Sequence, residues 1–115
     1  MQSLDELRQR LRAFAAERDW EQFHSPKNLA MALIVEAGEL VEHFQWLTQA
    51  QSLALAPDKR ELVAQELADV LIYLVRLADR LDVDLLAAAE RKFALNAEKY
   101  PAERARGSAR KYDES

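Results

Sequence analysis

An all-α fold is predicted by three observations. The 115 residues include only two glycines and three prolines, too few turn formers for an all-β chain built on tight hairpins. Apolar residues recur at helical spacing, as in Leu4, Leu7, Leu11 and Phe14. Helix-start signals also stand at the head of such runs. "SLDE", Ser3 to Glu6, is a capping-box pattern, and Ser25 with Pro26 offers an N-cap followed by proline at the first helical position.

Four helices follow in order. The first starts at Ser3 and is expected to fade near Asp19 and Trp20, leaving "DWEQFHSP" as a connection. The second runs from Pro26 to about Leu47. "TQAQSLALAP" then reads as a loop with room for one short helical turn. The third begins at Pro57 or Asp58 and reaches about Leu81. Asp82 is placed as the cap of the fourth, Val83 to Lys99, which "YP" ends because Pro101 disfavours helix in the residue before it. Residues 1–101 are expected to form the helical domain. Residues 102–115, polar and basic without periodicity, are expected to form a flexible tail. A core of this size is modest, and oligomerisation would enlarge it.

Composition narrows the function classes. The chain has no cysteine, which excludes disulfides, thiolate zinc sites and cysteine nucleophiles and fits a reducing cytoplasm. A net charge of -4 gives no bulk attraction to a nucleic-acid polymer. The opening "MQSLDELRQR" is charged and amphipathic, unlike a signal peptide. No apolar run reaches the roughly 18 residues that a membrane span needs, so no membrane partner is expected.

Against this background, "MALIVEAGELVEHFQW" (Met31 to Trp46) is odd. On a helical wheel, Leu29, Leu33, Leu40 and Leu47 fall within about 60° of Glu36. Glu39 lies beside it, so both glutamates border the apolar stripe. The third helix repeats the arrangement: Leu62, Val63, Val70, Tyr73 and Leu77 surround Glu66, with Asp69 three residues on. Unpaired ionised carboxylates are costly to bury and repel one another. Protonation, Lys or Arg partners such as Arg76, Lys92 or Lys99, or a cation would each relieve them. A cluster of hard oxygen ligands suits Mg²⁺ or Mn²⁺. Iron is disfavoured, because di-iron bundles use Glu-x-x-His where the second pair here ends in Asp69, and His43 is not three residues from a suitable glutamate. Gly38 sits roughly opposite Glu36, at about 200°, where its helix cost suggests a close helix or subunit approach. With Ile34 and Val41 on that far side, the helix is expected to be buried nearly all round.

"EAGE" (Glu36 to Glu39), followed 27 residues after Glu39 by "ELAD" (Glu66 to Asp69), resembles the E-x-x-E…E-x-x-D motif of the MazG-like, all-α nucleoside triphosphate pyrophosphohydrolases. "FAAERDWEQFHSPKNLAMAL", "GELVEHFQW", "ELADVLIYLVRLADRLDVDL" and "NAEKYPAERARGSARKY" are similar to the dCTP pyrophosphatase branch, so the resemblance covers nearly the whole chain. It implies a helical bundle assembled as a homodimer, or as a homotetramer made of two dimers. It also implies Mg²⁺-dependent hydrolysis of a nucleoside triphosphate to the monophosphate and pyrophosphate. By position, Glu36, Glu39, Glu66 and Asp69 would be the metal ligands. Trp20, Glu21, Gln22, Phe23, His24 and Trp46 would form the base and sugar pocket, and Tyr73 and Asn96 would reach the substrate. Two departures stand out. Val35 replaces a glutamate found in many MazG-like motifs, and Leu11 stands nine residues before Trp20, where some animal members carry a histidine.

The chemistry is coherent with that assignment. Acidic side chains alone would repel a triphosphate, and a bound cation reverses the sign locally. Glu36 or Glu39 is the expected catalytic group that orients or deprotonates the attacking water. Lys92, Asn96 and Lys99, at i, i+4 and i+7 beside Leu85, Ala89 and Phe93, form a stripe that either faces the phosphates or simply suits the helix dipole. Arg104, Arg106, Arg110 and Lys111 form either a lid over the triphosphate or a solvated tail. Trp20, Phe23 and Trp46 offer faces for base stacking or belong to the core. His24 hydrogen-bonds the base or sugar or is a structural loop residue. Tyr73 is a phosphate donor or a core residue. The expected substrate is dCTP or a modified form such as 5-methyl-dCTP. A dUTPase-like or broad-specificity hydrolase and a non-catalytic helical binding module are the alternatives.

Overall fold

Every regular element among the described residues is helical, as expected. The computed structural model describes residues 1–109. The anticipated Arg110 and Lys111 of the tail lie outside them. Six α-helices appear in order: α1 (Leu4–Glu17), α2 (Pro26–Glu42), α3 (Gln49–Ser52), α4 (Pro57–Arg80), α5 (Leu85–Lys99) and α6 (Ala102–Ala105). A 3₁₀ turn, Glu21–Phe23, joins α1 to α2.

The four long helices anticipated from periodicity are present, and their caps explain where they begin. Ser3 accepts from the Glu6 backbone N–H, and Ser25 accepts from that of Asn28. The Glu6 carboxylate reaches back one residue further than a capping box requires, accepting from the Gln2 backbone N–H at 2.6 Å. The short turn expected in "TQAQSLALAP" is α3, closed by a full capping box between Thr48 and Gln51.

Three boundaries differ from the sequence expectation. α2 stops at Glu42, not near Leu47, because the chain tightens into turns in which Phe44 donates to the Val41 carbonyl and Leu47 to that of Phe44. Asp82 does not cap α5. It takes a left-handed conformation (φ 56°) that stops α4, and Asp84 caps α5 instead by accepting from the Ala87 N–H. Within the expected tail, Ala102–Ala105 forms one helical turn.

The chain divides into two compact units, Met1–Asp82 and the segment from Val83 onward. In the first unit α2 packs most extensively on α4, and α1 also packs on α4. Leu7 and Ala15 of α1, Leu29 of α2, and Val63, Val75 and Ala78 of α4 form its core. Leu29, 1 % exposed, is its most fully enclosed large side chain. The rest of α2 corrects the expectation of near-complete burial. Met31, Ile34, Val35 and Val41 are all exposed, Ile34 at 68 %. A β-carbon added at Gly38 would meet nothing within 4 Å, so no close helix approach lies there among the described residues. In the second unit, α5 runs from its Asp84 cap to Tyr100, whose N–H closes on the Asn96 carbonyl.

An ionic cluster ties α1 to the end of α4. Arg12 grips Asp79 with two hydrogen bonds, at 2.8 and 2.6 Å. Arg8 lies 3.8 Å from the same carboxylate, and Arg76 donates to it at 3.4 Å. The hydrogen bond from Arg12 holds the Asp79 carboxyl below its usual range despite its burial, helped by the charges of Arg12, Arg8 and Arg76. A carboxyl with a depressed folded-state pKa stabilises the fold above its unfolded pKa, and that contribution is lost as pH falls. Asp79→Asn is therefore expected to lower stability by roughly 1–2 kcal/mol at neutral pH, allowing for the exposure of Arg12. Denaturant titrations should show that difference shrinking below about pH 4.

Candidate active site

Two helices bring three carboxylates to one point. Glu36 and Glu39 stand three apart on α2, and Glu66 comes from α4, the helix packed most extensively against it. One carboxylate oxygen from each lies within 4.8 Å of the others. All three side chains are half-buried. Glu36 Oε2 and Glu66 Oε2 are fully enclosed and have no hydrogen-bond partner among the described residues. Arg76, considered as a partner for Glu36 or Glu39, turns instead to Asp79 and His24.

That arrangement is electrostatically unfavourable as it stands. Burial first, then hydrogen-bonding contact with Glu39 and Glu66 and the charges of Glu39 and Asp69, push the Glu36 carboxyl up to about 7. Three carboxylates brought this close, two of them keeping a buried oxygen without a partner and with no nitrogen or sulfur donor among them, are the donor set of a hard divalent cation. The three glutamates thus fit a metal, and the cluster is a candidate metal centre. Asp69 lies outside this trio. It is exposed one turn along α4 from Glu66, near enough for its charge to act on Glu36.

The expected base pocket is a short, pinned segment. Asp19 adopts a left-handed conformation (φ 53°) after α1, and the Trp20 N–H turns back to the Ala15 carbonyl at 2.9 Å. Gln22 donates to the Asp19 carbonyl, Asn28 to that of Phe23 and Arg80 to that of His24, each within 3.1 Å. Trp20 packs edge-on against Phe14 and tilts toward His24 at 6.1 Å. Trp20 and Phe23 keep exposed faces, and Glu21 and Gln22 are exposed, the Gln22 amide turned back onto Asp19. Trp46, 86 % exposed, stands in the turn after α2 rather than on the helix. Tyr73 is half-buried, one turn beyond Asp69 on α4. Lys92, Asn96 and Lys99 follow one another along α5 in the second unit, where all three are exposed.

A MazG-like family model matches residues 31–114. The chain belongs to the MazG-like family. It is 50% identical over 114 residues to human dCTP pyrophosphatase 1, covering 97% of this chain and 67% of the human protein. The rat protein of the same name is 50% identical over 112 residues, covering 96% of this chain and 66% of its own. The chain thus spans about two thirds of the length of these curated relatives. A crystal structure of a pyrophosphatase from Archaeoglobus fulgidus superposes with a TM-score of 0.80 at 39% identity, covering 84% of this chain and 91% of that one. The similarity expected from "EAGE" and "ELAD" is thereby shown, and both motifs lie inside the stretch that the MazG-like model matches.

Sequence reasoning missed the Arg12–Asp79–Arg76–His24 chain of contacts. Arg76 and Asp79 stand three apart on α4, but their links to Arg12 and His24 span 67 and 52 positions and leave no periodic signal.

A carboxyl with a raised folded-state pKa stabilises the fold below its unfolded pKa, and that contribution is lost as pH rises through the folded value. Metal-free protein is therefore expected to lose thermal stability as pH rises from about 4.5 to about 7. Glu36→Gln should flatten that profile and raise the metal-free melting temperature by a few degrees, on the order of 1 kcal/mol. The same substitution should shrink the melting shift produced by added Mg²⁺. A calorimetric series with chelator and with Mg²⁺ checks both.

Proposed function

We propose that this chain is a Mg²⁺-dependent nucleotide pyrophosphohydrolase that converts dCTP, or a modified form such as 5-methyl-dCTP, to the monophosphate and pyrophosphate. The enzyme assignment rests on family membership and on the 50% identity to human dCTP pyrophosphatase 1. The observation that carries the mechanism is the pair of buried, unpartnered oxygens on Glu36 and Glu66, which with Glu39 form a trio fit for a cation.

In this reading Glu36, Glu39, Glu66 and Asp69 would hold Mg²⁺, with Mn²⁺ a chemical substitute. The ion would supply charge neutralisation to the triphosphate and activation of water. Glu36 or Glu39 orients that water or takes its proton. Trp20, Phe23 and Trp46 present flat apolar faces for the base, and Glu21, Gln22 and His24 supply polar atoms around it. Tyr73, Lys92, Asn96 and Lys99 contact the sugar and phosphates, with residues 1–101 acting as the catalytic domain. Removing dCTP or its modified forms sanitises nucleotide pools, a role suited to a cytoplasmic enzyme.

The chain works as a homodimer or a homotetramer of two dimers. Supporting this, Met31, Ile34, Val35 and Val41 leave α2 with an unpartnered apolar face, and Gly38 lies on the same helix with open space around it.

Incubation with Mg²⁺ and a panel of nucleoside triphosphates that includes 5-methyl-dCTP should release deoxycytidine monophosphates and pyrophosphate. No turnover of any nucleotide would sink the reading and favour a binding module, whereas fastest turnover of dUTP would favour a dUTPase-like enzyme. Glu39→Gln and Asp69→Asn are each expected to cost more than about tenfold in activity. Ile34→Glu is expected to shift sedimentation toward the monomer and lower the melting temperature at dilute concentration.

A further inference from the structure

The guanidinium of Arg76 does something that no structural residue in its place needs to do. Its side chain is 4 % exposed, in the middle of α4's last turns. Its Nε lies 3.1 Å from Nδ1 of His24, 52 positions earlier in the chain. A guanidinium has donors only and does not lose its proton, so it cannot accept from a ring nitrogen. Turning the imidazole over would set a carbon against that N–H and strand a buried donor. Nδ1 is therefore the unprotonated nitrogen, and in the neutral ring the proton sits on Nε2.

We infer that Arg76 is a positioning residue that fixes His24 as the Nε2–H tautomer, so that the ring presents a hydrogen-bond donor, and only a donor, to the substrate. Its surroundings support the same state. Asp79 anchors Arg76 Nη1 and is itself held by Arg12, so the guanidinium is braced from α1. Arg80 donates to the His24 carbonyl and fixes the backbone beneath the ring. Burial first, then the charges of Arg76 and Arg80 from α4, disfavour the imidazolium, against the opposing charge of Glu21 from the 3₁₀ turn.

The consequence is a rule for what His24 recognises, and it rests on the placement of His24 in the substrate pocket proposed above. A donor at Nε2 takes an acceptor: a pyrimidine ring carbonyl, a ring nitrogen lone pair or a sugar oxygen. It does not take the exocyclic amino group of cytosine, which is itself a donor. His24 thereby reads a part of the nucleotide that methylation at carbon 5 leaves alone.

Long-range ¹⁵N–¹H correlation spectra of the intact protein test this directly. The chain has two histidines, so a His43→Gln variant assigns the signals. At about pH 7.5 the wild-type His24 should show one tautomer, with Nδ1 unprotonated, and a protonation midpoint below the ordinary histidine value. Arg76→Met should give a mixture of tautomers, a higher midpoint and a KM for dCTP raised roughly fivefold, with kcat changed less than about twofold. Arg76→Lys, which keeps a cationic donor, should recover part of the single-tautomer signature. A wild-type ring protonated at Nδ1, or an even mixture, would overturn the inference, as would an Arg76→Met protein with wild-type spectra and KM. If Arg76→Met does not fold, the wild-type spectrum alone decides. Absence of dCTP turnover would defeat the proposed function while leaving the tautomer result readable, and the wrong tautomer with normal turnover would defeat this inference alone.

Discussion

Like charge held at close range is the constraint on which this structure turns. The α2–α4 interface brings three carboxylates within 4.8 Å of one another, two with an oxygen cut off from solvent. A fold selected only for stability would fill that place with leucine, since well-packed apolar residues of similar volume often stabilise as well as buried charges do. The penalty is tolerable because the ionic groups are concentrated where two well-formed helices keep their backbone positions. α2 is started by a serine cap and proline, and α4 runs for 24 residues. The rigidity of the scaffold is thus what allows the site to be electrostatically poor when bare and receptive to a cation.

The opposite solution appears at the other end of α4. There Asp79 is buried too, but Arg12, Arg8 and Arg76 surround it, and its carboxyl is driven down instead of up. The same helix therefore carries one carboxylate with a buried, unpartnered oxygen, Glu66, and another, Asp79, held by a surplus of cations. That contrast separates a carboxylate open to a cation from one already neutralised more firmly than burial alone, since both kinds are shielded.

Much of this was legible in the sequence where local physics governs. Ser3 and Ser25 cap helices because capping is decided within four residues. The i, i+3 carboxylate pairs announced a shared face because helical spacing brings such positions together. The failures share a cause as well. Leucine spacing continues to Leu47, past the residue where the chain tightens into turns, so periodicity overruns the end of α2. Aspartate favours N-caps, yet it also tolerates the left-handed conformation, and at Asp82 that property wins. The expected burial of α2 failed because periodicity marks a face as apolar without saying which chain covers it. Nothing local could reveal Arg76 on His24, a contact made only once α4 has docked.

The left-handed stop at Asp82 has a consequence for motion. It ends α4 at Arg80, so that Arg76, Asp79 and Arg80 lie in or beside the final turn, and two of these, Arg76 and Arg80, hold His24. Helix ends open more readily than helix middles. Glu66 lies ten residues back along α4 from Arg76, about 15 Å by helical rise. Fraying at the end of α4 therefore loosens the Trp20–His24 segment while the carboxylates stay in register. The molecule can loosen that segment without dismantling the place where a cation would sit. Amide exchange in the two regions would run on different clocks.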